Sequence, residues 1–306
     1  MTDGVSILGI FVADLAFRSG RMPAVGETIM GSGFAMGPGG KGSNQAVAAA
    51  RAGAKTRFIS RLGQDSFGDI AMATWAAEGI DAKVARSSHA PTGAAFIYVN
   101  DVNGENAIIV VPGAAGDISV ADVEAAAETI RSSRVFVTQL EQPAEAALAA
   151  LKIARGAGVT TVFNPAPAAP FDPAIYPLVD YITPNESETA AMVGFPVETI
   201  EDAKRAGDVL LKKGVGVALI TLGEKGALFH AKDRSELVPA FHVAAVVETA
   251  GAGDAFNGGF AAALAEGREP LAAARFGCAV AGIAVTRAGT APAMPRRAEV
   301  DALLNR

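Results

Sequence analysis

The chain has 306 residues, of which 50% are hydrophobic and 19% are charged. A chain of this length and composition can bury a large core, which excludes an intrinsically disordered protein. Its formal net charge of −6 at pH 7 argues against nucleic acid as a partner, because the phosphate backbone attracts basic surfaces.

The N-terminal run predicts a buried first strand. Residues 1–17 are mostly apolar, and they lack the basic segment and the small-residue cleavage site of a signal peptide. No stretch reaches the ~20 continuous apolar residues of a membrane span, so we expect no membrane partner. The single cysteine, Cys278, cannot form a disulfide within one chain, and it favours a cytoplasmic location.

Strand patterns and helix patterns alternate along most of the chain. In chain order we predict a strand at 5–12, a helix at 43–53, a strand at 56–63, a helix at 67–79, a strand at 134–140, a helix at 144–158, strands at 159–164 and 180–185, a helix at 199–213 and a strand at 216–223. This alternation predicts an α/β fold in which right-handed crossovers build a mostly parallel sheet covered on both faces.

Two segments break the alternation and predict a small second β-sheet. Residues 15–38 are rich in Gly and Pro and contain short apolar pieces. Residues 92–111 have the pattern of two strands joined at Asn103-Gly104, a strong hairpin signal. Such a sheet suits a lid or an oligomer interface, and a hairpin without a function of its own fits the pattern as well.

The run ETAGAGDAFNGG, residues 248–259, predicts a helix start that can bind an anion. Aromatic and aliphatic residues recur every four positions from Phe256, so a helix begins at about Ala252. Gly251 and Gly253 leave the backbone amides of the first turn accessible to a ligand, at the positive end of the helix dipole.

Asp254 lies in the first turn of that helix, and two interpretations of it stay open on spacing alone. A Gly-rich turn followed by an acidic residue is a common way to stabilise a helix start. A carboxylate beside an anion site also suits phosphoryl transfer. It can take a proton from an attacking hydroxyl while the amides stabilise the charge that develops on the transferred group.

A second glycine-rich run, GPGGKGSNQ at 37–45, opens the first helix. Its letters match G-x-G-x-x-G, but no long strand directly precedes it and no acidic residue ends the next strand, which argues against a dinucleotide site. It is not a phosphate-binding loop of the Walker type, because Gly42 follows Lys41. We interpret it as a flexible turn that presents Lys41 and Asn44 to a polyhydroxylated ligand.

Two further runs follow predicted strands. In TPNESE, residues 183–188, Asn185 and Glu188 lie three apart and offer oxygen ligands for a hydrated Mg²⁺, although such pairs at helix starts are more often caps. The run TLGEKG, residues 221–226, can approach a nucleotide at the carboxyl edge of a parallel sheet, and alone it is a turn.

In this order and spacing, the motifs resemble those of the ribokinase family of PfkB sugar kinases. GGKGSNQA (39–46) and GAGDAFNGG (251–259) are long and specific, and the resemblance extends from residue 9 to residue 295. It implies a Rossmann-like three-layer α/β/α domain over residues 1–306, with a β lid formed by about 15–38 and 92–111 that often makes a homodimer interface. It also implies transfer of the γ-phosphoryl group of ATP to a sugar hydroxyl, O5 for ribose, with Mg²⁺.

The resemblance also implies roles for individual residues. Asp254 matches the catalytic base, and the anion hole matches Gly251, Ala252 and Gly253. The sugar-contacting positions are Asp14, Gly40, Lys41, Asn44 and Glu141. The nucleotide-binding positions are Asn185, Thr221, Gly223, Gly226 and Gly253, with Asn257 nearby. Asn185 and Glu188 match the motif associated with Mg²⁺ and phosphate, and a monovalent-cation site such as one for K⁺ would involve Glu248, Ala250 and Gly289.

The chain departs from the family pattern at two places. Val12 stands where ribokinases usually have Asn, and an apolar side chain cannot bond a sugar hydroxyl, which favours 2-deoxyribose. Glu248 stands where the family typically has Asp in its cation site, and Ala291 and Ala293 replace more polar residues there. The alternatives to a ribose kinase are therefore a kinase for 2-deoxyribose, another sugar or a nucleoside, and a sugar- or nucleotide-binding regulator without catalysis.

Overall fold

The computed structural model describes residues 3–305. Its strands are β1 (Val5–Leu8), β2 (Val12–Ser19), β3 (Gly33–Gly39), β4 (Thr56–Gly63), β5 (Asp81–Ser87), β6 (Thr92–Asn100), β7 (Asn106–Gly113), β8 (Val135–Thr138), β9 (Thr160–Phe163), β10 (Tyr181–Ile182), β11 (Val217–Thr221), β12 (Ala227–Ala231) and β13 (Arg234–Val238). Its helices are α1 (Lys41–Arg51), α2 (Ser66–Ala77), α3 (Val120–Ala125), α4 (Ala127–Arg131), α5 (Ala144–Gly156), α6 (Glu186–Val193), α7 (Ile200–Lys212), α8 (Ala252–Ala265), α9 (Pro270–Ala284) and α10 (Arg297–Leu304). None of these helices is both long and apolar enough to cross a bilayer.

Nine strands form the large sheet, in the order β13-β12-β11-β10-β9-β8-β1-β4-β5. The pairs from β5 through β11 are parallel, and β12 and β13 add an antiparallel edge. Connections between parallel strands must cross from one end of the sheet to the other, and the intervening helices make these crossings. The mostly parallel α/β sheet that the sequence predicts is confirmed.

The large sheet separates two hydrophobic cores. Along β1, Val5 and Ile7 pack in one core with residues of α1, α8 and α9, whereas Leu8 packs in the other with residues of α5 and α7. Successive side chains of a strand point to opposite faces, so both faces of the sheet are covered by helices. The molecule is thus a three-layer α/β/α structure.

The small sheet has the order β3-β2-β6-β7. It contains one parallel pair, β2 with β6, between two antiparallel pairs. The hairpin of β6 and β7 turns through residues 101–105, which include the predicted Asn103-Gly104 turn. Apolar side chains on this sheet face solvent, among them Phe34 at 61% exposure and Ile109 at 62%. The second β-sheet that the sequence predicts is therefore present.

Two predicted strands are wrong in their bounds. The predicted strand at 5–12 is two strands, because the chain leaves the large sheet after Leu8 and enters the small one at Val12. Gly9 marks the break, where a Cβ would lie 2.7 Å from the Cα of Gly42 in α1. The predicted strand at 180–185 keeps only two residues, because its second half turns into the start of α6.

Candidate active site

The candidate site lies at the carboxyl edge of the large sheet, where the strand order reverses. From β1 the chain runs to β4 on one side through α1, and from β8 it runs to β9 on the other side through α5. The two helices cover opposite faces of the sheet, so the chain diverges from the carboxyl ends of β1 and β8. Such a reversal is where open α/β sheets bind ligands.

Asp254 is buried at this edge of the sheet, in the first turn of α8, with 6% of its surface exposed. Its Oδ2 accepts a hydrogen bond from Asn44 Nδ2 at 3.0 Å, and its Oδ1 accepts one from Gln45 Nε2 at 3.1 Å. Burial raises the pKa of Asp254, while the Lys41 charge and the two amide donors act in the opposite direction. The carboxylate is held between two donors from α1 and suits the role of a general base.

The start of α8 presents unpaired amides beside that carboxylate. Gly251 caps the helix with a φ of +77°, a conformation that only glycine adopts without strain. Within residues 3–305, the N–H groups of Gly253 and Asp254 have no acceptor, whereas that of Ala252 donates to the Thr249 carbonyl at 3.1 Å. A Cβ on Gly253 would meet no surrounding atom within 4 Å among residues 3–305, so there is open space beside this turn. The free anion donors are thus the amides of Gly253 and Asp254, and the Ala252 amide is already engaged.

The predicted sugar-contacting residues lie together next to Asp254. The carboxyl oxygens of Asp14 lie over Gly39, where a Cβ would come within 2.4 Å of them. Lys41 is in the first turn of α1, and its backbone N–H donates to Glu141 Oε2 at 2.7 Å. Lys41 and Asn44 therefore belong to a helix that begins after Gly40, and the interpretation of this run as a flexible turn is wrong.

The charges of this cluster are coupled. Burial raises the pKa of Asp14 to about 6 and that of Glu141 to about 7. Burial opposes the charge on Lys41, but the carboxylates of Asp254, Glu141 and Glu188 raise its pKa. Lys41 thus lies near the carboxyl groups of Asp254, Glu141 and Glu188. Hydrogen-bond donors on a bound ligand would stabilise the charged form of those carboxyl groups.

Asn185 and Glu188 form a reciprocal cap at the start of α6. Asn185 Oδ1 accepts from the Glu188 N–H at 2.8 Å, and Glu188 Oε2 accepts from the Asn185 N–H at 2.9 Å. Asn185 Oδ1 also accepts from the Ser187 hydroxyl, so it has little capacity left for a metal. Among the described residues no cluster of three or more His, Cys, Asp or Glu side chains could hold a metal ion. The geometry fits an indirect role toward Mg²⁺ that reaches the site with a nucleotide.

The predicted nucleotide-binding turn lies beside α6. The Thr221 N–H donates to the Pro184 carbonyl at 2.9 Å, and the turn closes with a bond from the Leu222 N–H to the Gly226 carbonyl at 2.8 Å. A Cβ on Gly223 would approach Glu186 Oε1 at 3.8 Å. These contacts bring the turn after β11 to the sheet edge that carries Asn185.

Glu248 connects the two segments that form the predicted cation site, the segment before α8 and the loop after α9. Its Oε2 accepts from the Gly289 N–H at 2.8 Å, and its own N–H donates to the Val285 carbonyl at 3.2 Å. The segment before α8 and the loop after α9 are therefore in direct contact, with Ala250 on the same segment. The second carboxylate oxygen of Glu248 and neighbouring carbonyls are the hard oxygen donors that alkali cations prefer.

Sequence reasoning missed a set of buried amide and hydroxyl side chains around Asp254. They are Gln45, Gln139, Asn164 and Thr183, each with 5% or less of its surface exposed. Gln45 lies inside the GGKGSNQA motif, and the other three come directly after β8, β9 and β10. A search for polar residues immediately after apolar strands would have found them.

Comparison with known proteins shows which family this chain is similar to. A family model described as pfkB family carbohydrate kinase matches residues 2–297. The ribokinase of Haemophilus influenzae is 39% identical over 300 residues, covering 98% of this chain and 97% of that protein. A deoxyribokinase of Salmonella typhi is 35% identical over 293 residues, covering 95% of each chain. The structure of Arabidopsis thaliana ribokinase complexed with ribose and ATP superposes with a TM-score of 0.93 at 30% identity, covering 100% of both chains.

Proposed function

This chain belongs to the pfkB family of carbohydrate kinases, and from that premise we propose that it transfers the γ-phosphoryl group of ATP to the 5-hydroxyl of a pentose, with D-ribose as the first candidate. The observation that carries the proposal is the buried Asp254 carboxylate beside the unpaired amides of Gly253 and Asp254. The ribokinase relative and the ribose and ATP complex of the Arabidopsis protein support the choice of sugar and nucleotide.

The mechanism follows from the positions of these groups. Asp254 accepts the proton of the sugar hydroxyl, and a raised pKa makes this carboxylate a stronger base than an exposed aspartate. The sugar oxygen then attacks the γ-phosphorus, and the free amides at the start of α8 stabilise the negative charge that develops. Asn44 Oδ1 is buried without a partner among residues 3–305 and can accept from another sugar hydroxyl, as can the carboxyl groups of Asp14 and Glu141.

The proposed reaction involves two cations, Mg²⁺ and K⁺. Mg²⁺ would neutralise phosphate charge during transfer, with Glu188 and Asn185 acting on its hydration shell, since their side chains already cap α6. K⁺ would occupy the loop of Glu248, Ala250 and Gly289, and in that position it would favour the ordered start of α8. Glu248 holds the Gly289 amide, so its own carboxylate supports the same loop.

The test of this function is a phosphorylation assay with ATP and Mg²⁺ over ribose, 2-deoxyribose, common hexoses and nucleosides, with and without K⁺. We expect turnover on a pentose, and in Asp254→Asn a fall in kcat of about 10²–10⁴-fold with nucleotide binding unchanged. Asp69→Asn is the matched control, because Asp69 is an exposed acidic residue in the first turn of α2. Turnover of Asp254→Asn within tenfold of the parent would refute the mechanism, and sugar binding without ATP consumption would favour a regulator.

A second candidate acceptor is 2-deoxyribose. Val12 is buried at 3% exposure and lies two residues before Asp14 on β2, so its side chain points to the same face. An isopropyl group offers no partner to a sugar hydroxyl there. The similarity to the Salmonella deoxyribokinase gives this candidate independent support.

We also propose that the small sheet is a lid and the interface of a homodimer. β2 carries Asp14 and β3 leads directly into Gly40 and α1, so the sheet borders the sugar-binding cluster. Five exposed apolar side chains share the face of this sheet opposite Asp14, namely Phe17, Phe34, Met36, Ile109 and Val111. A contiguous apolar surface of this kind is typical of a protein interface.

A further inference from the structure

A buried hydrogen-bond network surrounds Asp254 and returns to its own helix. Gln45 Nε2 donates to Asp254 Oδ1 and to Asn164 Oδ1, both at 3.1 Å. Asn164 Nδ2 donates to the Thr183 carbonyl at 2.8 Å, and the Thr183 hydroxyl donates to Asn257 Oδ1 at 2.6 Å. Asn257 Nδ2 then donates to the carbonyl of residue 253 at 2.8 Å. The network therefore holds both the side chain of Asp254 and the peptide that precedes it.

Two backbone carbonyls, those of Thr183 and Gly253, fix the direction of the amide side chains in this network. The Thr183 carbonyl can only accept, so Asn164 turns its NH₂ toward it and its oxygen toward Gln45. Gln45 must then present its NH₂ group to Asn164 and to Asp254, and its oxygen accepts from Gln139 Nε2 at 2.6 Å. The reversed amide would place its oxygen against two acceptors. Gln45 therefore faces the carboxylate as a donor and has no freedom to turn.

We propose that Gln45 is a positioning residue for the catalytic base, and that it aims the Asp254 carboxylate and maintains it as a proton acceptor through an amide oriented by Gln139 and Asn164. This inference rests on the proposed role of Asp254 as the base. Gln45 is fully buried in α1, whereas Asp254 starts α8, so one side chain couples the two helices that meet at the site. A donor to a carboxylate favours its charged form, and its loss raises the pKa of the carboxyl group.

The charged groups around Asp254 come from several elements. Lys41 on α1 lowers its pKa, and Asp254 in turn raises the pKa of Asp14 on β2, of Glu141 after β8 and of Glu188 on α6. A change at Gln45 leaves all four of these groups in place. Asp254 is the carboxylate to which Gln45 donates, so a shift in the pH dependence of turnover in a Gln45 variant starts at Asp254 and reaches the other groups only through their coupling to it.

The test compares Gln45→Leu with Gln142→Leu. Gln142 is an equally buried glutamine whose Nε2 donates to the Thr138 hydroxyl and the Gln139 carbonyl, with no bond to Asp254. In Gln45→Leu we expect kcat to fall about 10- to 100-fold, KM for ATP and sugar to stay within threefold, and the acidic limb of the kcat profile to move to higher pH. In Gln142→Leu we expect the position of the acidic limb to be that of the parent.

Further variants keep the outcome decisive. Gln139→Leu removes the donor to the Gln45 oxygen. The Gln45 side chain is then held less firmly, although Asn164 still fixes the direction of its amide. This variant should therefore move the acidic limb in the same direction by a smaller amount, and it reports on the network if Gln45→Leu does not fold. An acidic limb that stays in place in the folded variants would overturn the inference. Asp254→Asn is measured in the same series: if it stays active, the proposed base is wrong, and if it alone is inactive, only the role of Gln45 is wrong.

Discussion

At the scale of residues, the site is a group of carboxyl groups that the protein holds in place at a cost to its own stability. Burial raises the folded-state pKa of Asp14 to about 6 and of Glu141 to about 7, above their usual values. A raised pKa in the folded state means that each group stabilises the fold below its unfolded pKa and that this contribution is lost as the pH rises through the folded value. At neutral pH these groups therefore favour a ligand that supplies hydroxyl donors.

A prediction at this scale concerns the acceptor sugar. Val12→Asn adds an amide beside Asp14, and one satisfied hydrogen bond contributes about 1 kcal/mol. We expect kcat/KM for ribose relative to 2-deoxyribose to rise about five- to tenfold, as measured with both sugars at fixed ATP. Val12→Leu is the control, because it changes the shape of the side chain without adding a donor. A ratio that stays constant, or that rises equally in Val12→Leu, would contradict this role of Val12.

At the scale of elements, close packing of α1 against α8 creates the site. Gly258 lies on the face of α8 that meets α1, where a Cβ would come 2.5 Å from Ala48 Cβ and 2.6 Å from the Gln45 carbonyl. Asn44 and Gln45 reach Asp254 from α1 only because the two helices approach this closely. Small residues at the contact thus set the distance between the base and its donors.

A prediction follows for that contact. Gly258→Ala should separate α8 from α1, lower the free energy of unfolding by about 1–3 kcal/mol and reduce kcat, because Asp254 moves away from its donors. Gly156→Ala is the control, since a Cβ at that position of α5 meets no atom within 4 Å. Denaturant unfolding and kinetics of both variants provide the measurement. A Gly258→Ala protein with parental stability and turnover would show that the close approach is unnecessary.

The sequence predicts the elements well and their ends less well. The alternation of apolar segments predicts the parallel sheet, because both faces of each strand are buried. It cannot predict that the chain changes sheets at Gly9, since the reason is a contact with Gly42 in a different element. The same limit applies to Gln45 and Asn164, which look like ordinary polar residues until the fold places them beside Asp254.

At the scale of the whole molecule, each of the two sheets contributes different residues to the site. The large sheet supplies Glu141 and the residues after its strands, and the small sheet supplies Asp14 and a wide apolar surface. A solvent-facing apolar surface of this kind is unfavourable in an isolated chain and becomes favourable when a second copy covers it. The homodimer proposal therefore belongs to this scale.

The prediction for assembly is that Ile109→Glu yields a monomer, because a buried charge without a partner opposes association. Ile109 lies on β7 with 62% of its surface exposed. Val120→Glu is the control, an exposed apolar residue on α3 away from the small sheet. Sedimentation velocity at micromolar concentration should give a dimer for the parent and for Val120→Glu. A monomeric parent, or a dimeric Ile109→Glu, would contradict the proposed interface.

The break at Gly9 has a consequence for how such a molecule can change over time. β1 leads directly into β2, and β3 leads directly into α1. On the other side of the small sheet, β5 leads into β6, and β7 leads on toward α3. The small sheet is therefore built from two separate segments of the chain, which are joined to the rest of the molecule at four places. Exchanging the small sheet for another one would therefore require four joins in the chain, where a single inserted segment requires two. Val12 lies at the start of one of these segments, so a substitution there changes the face that carries Asp14 while all four connections stay in place.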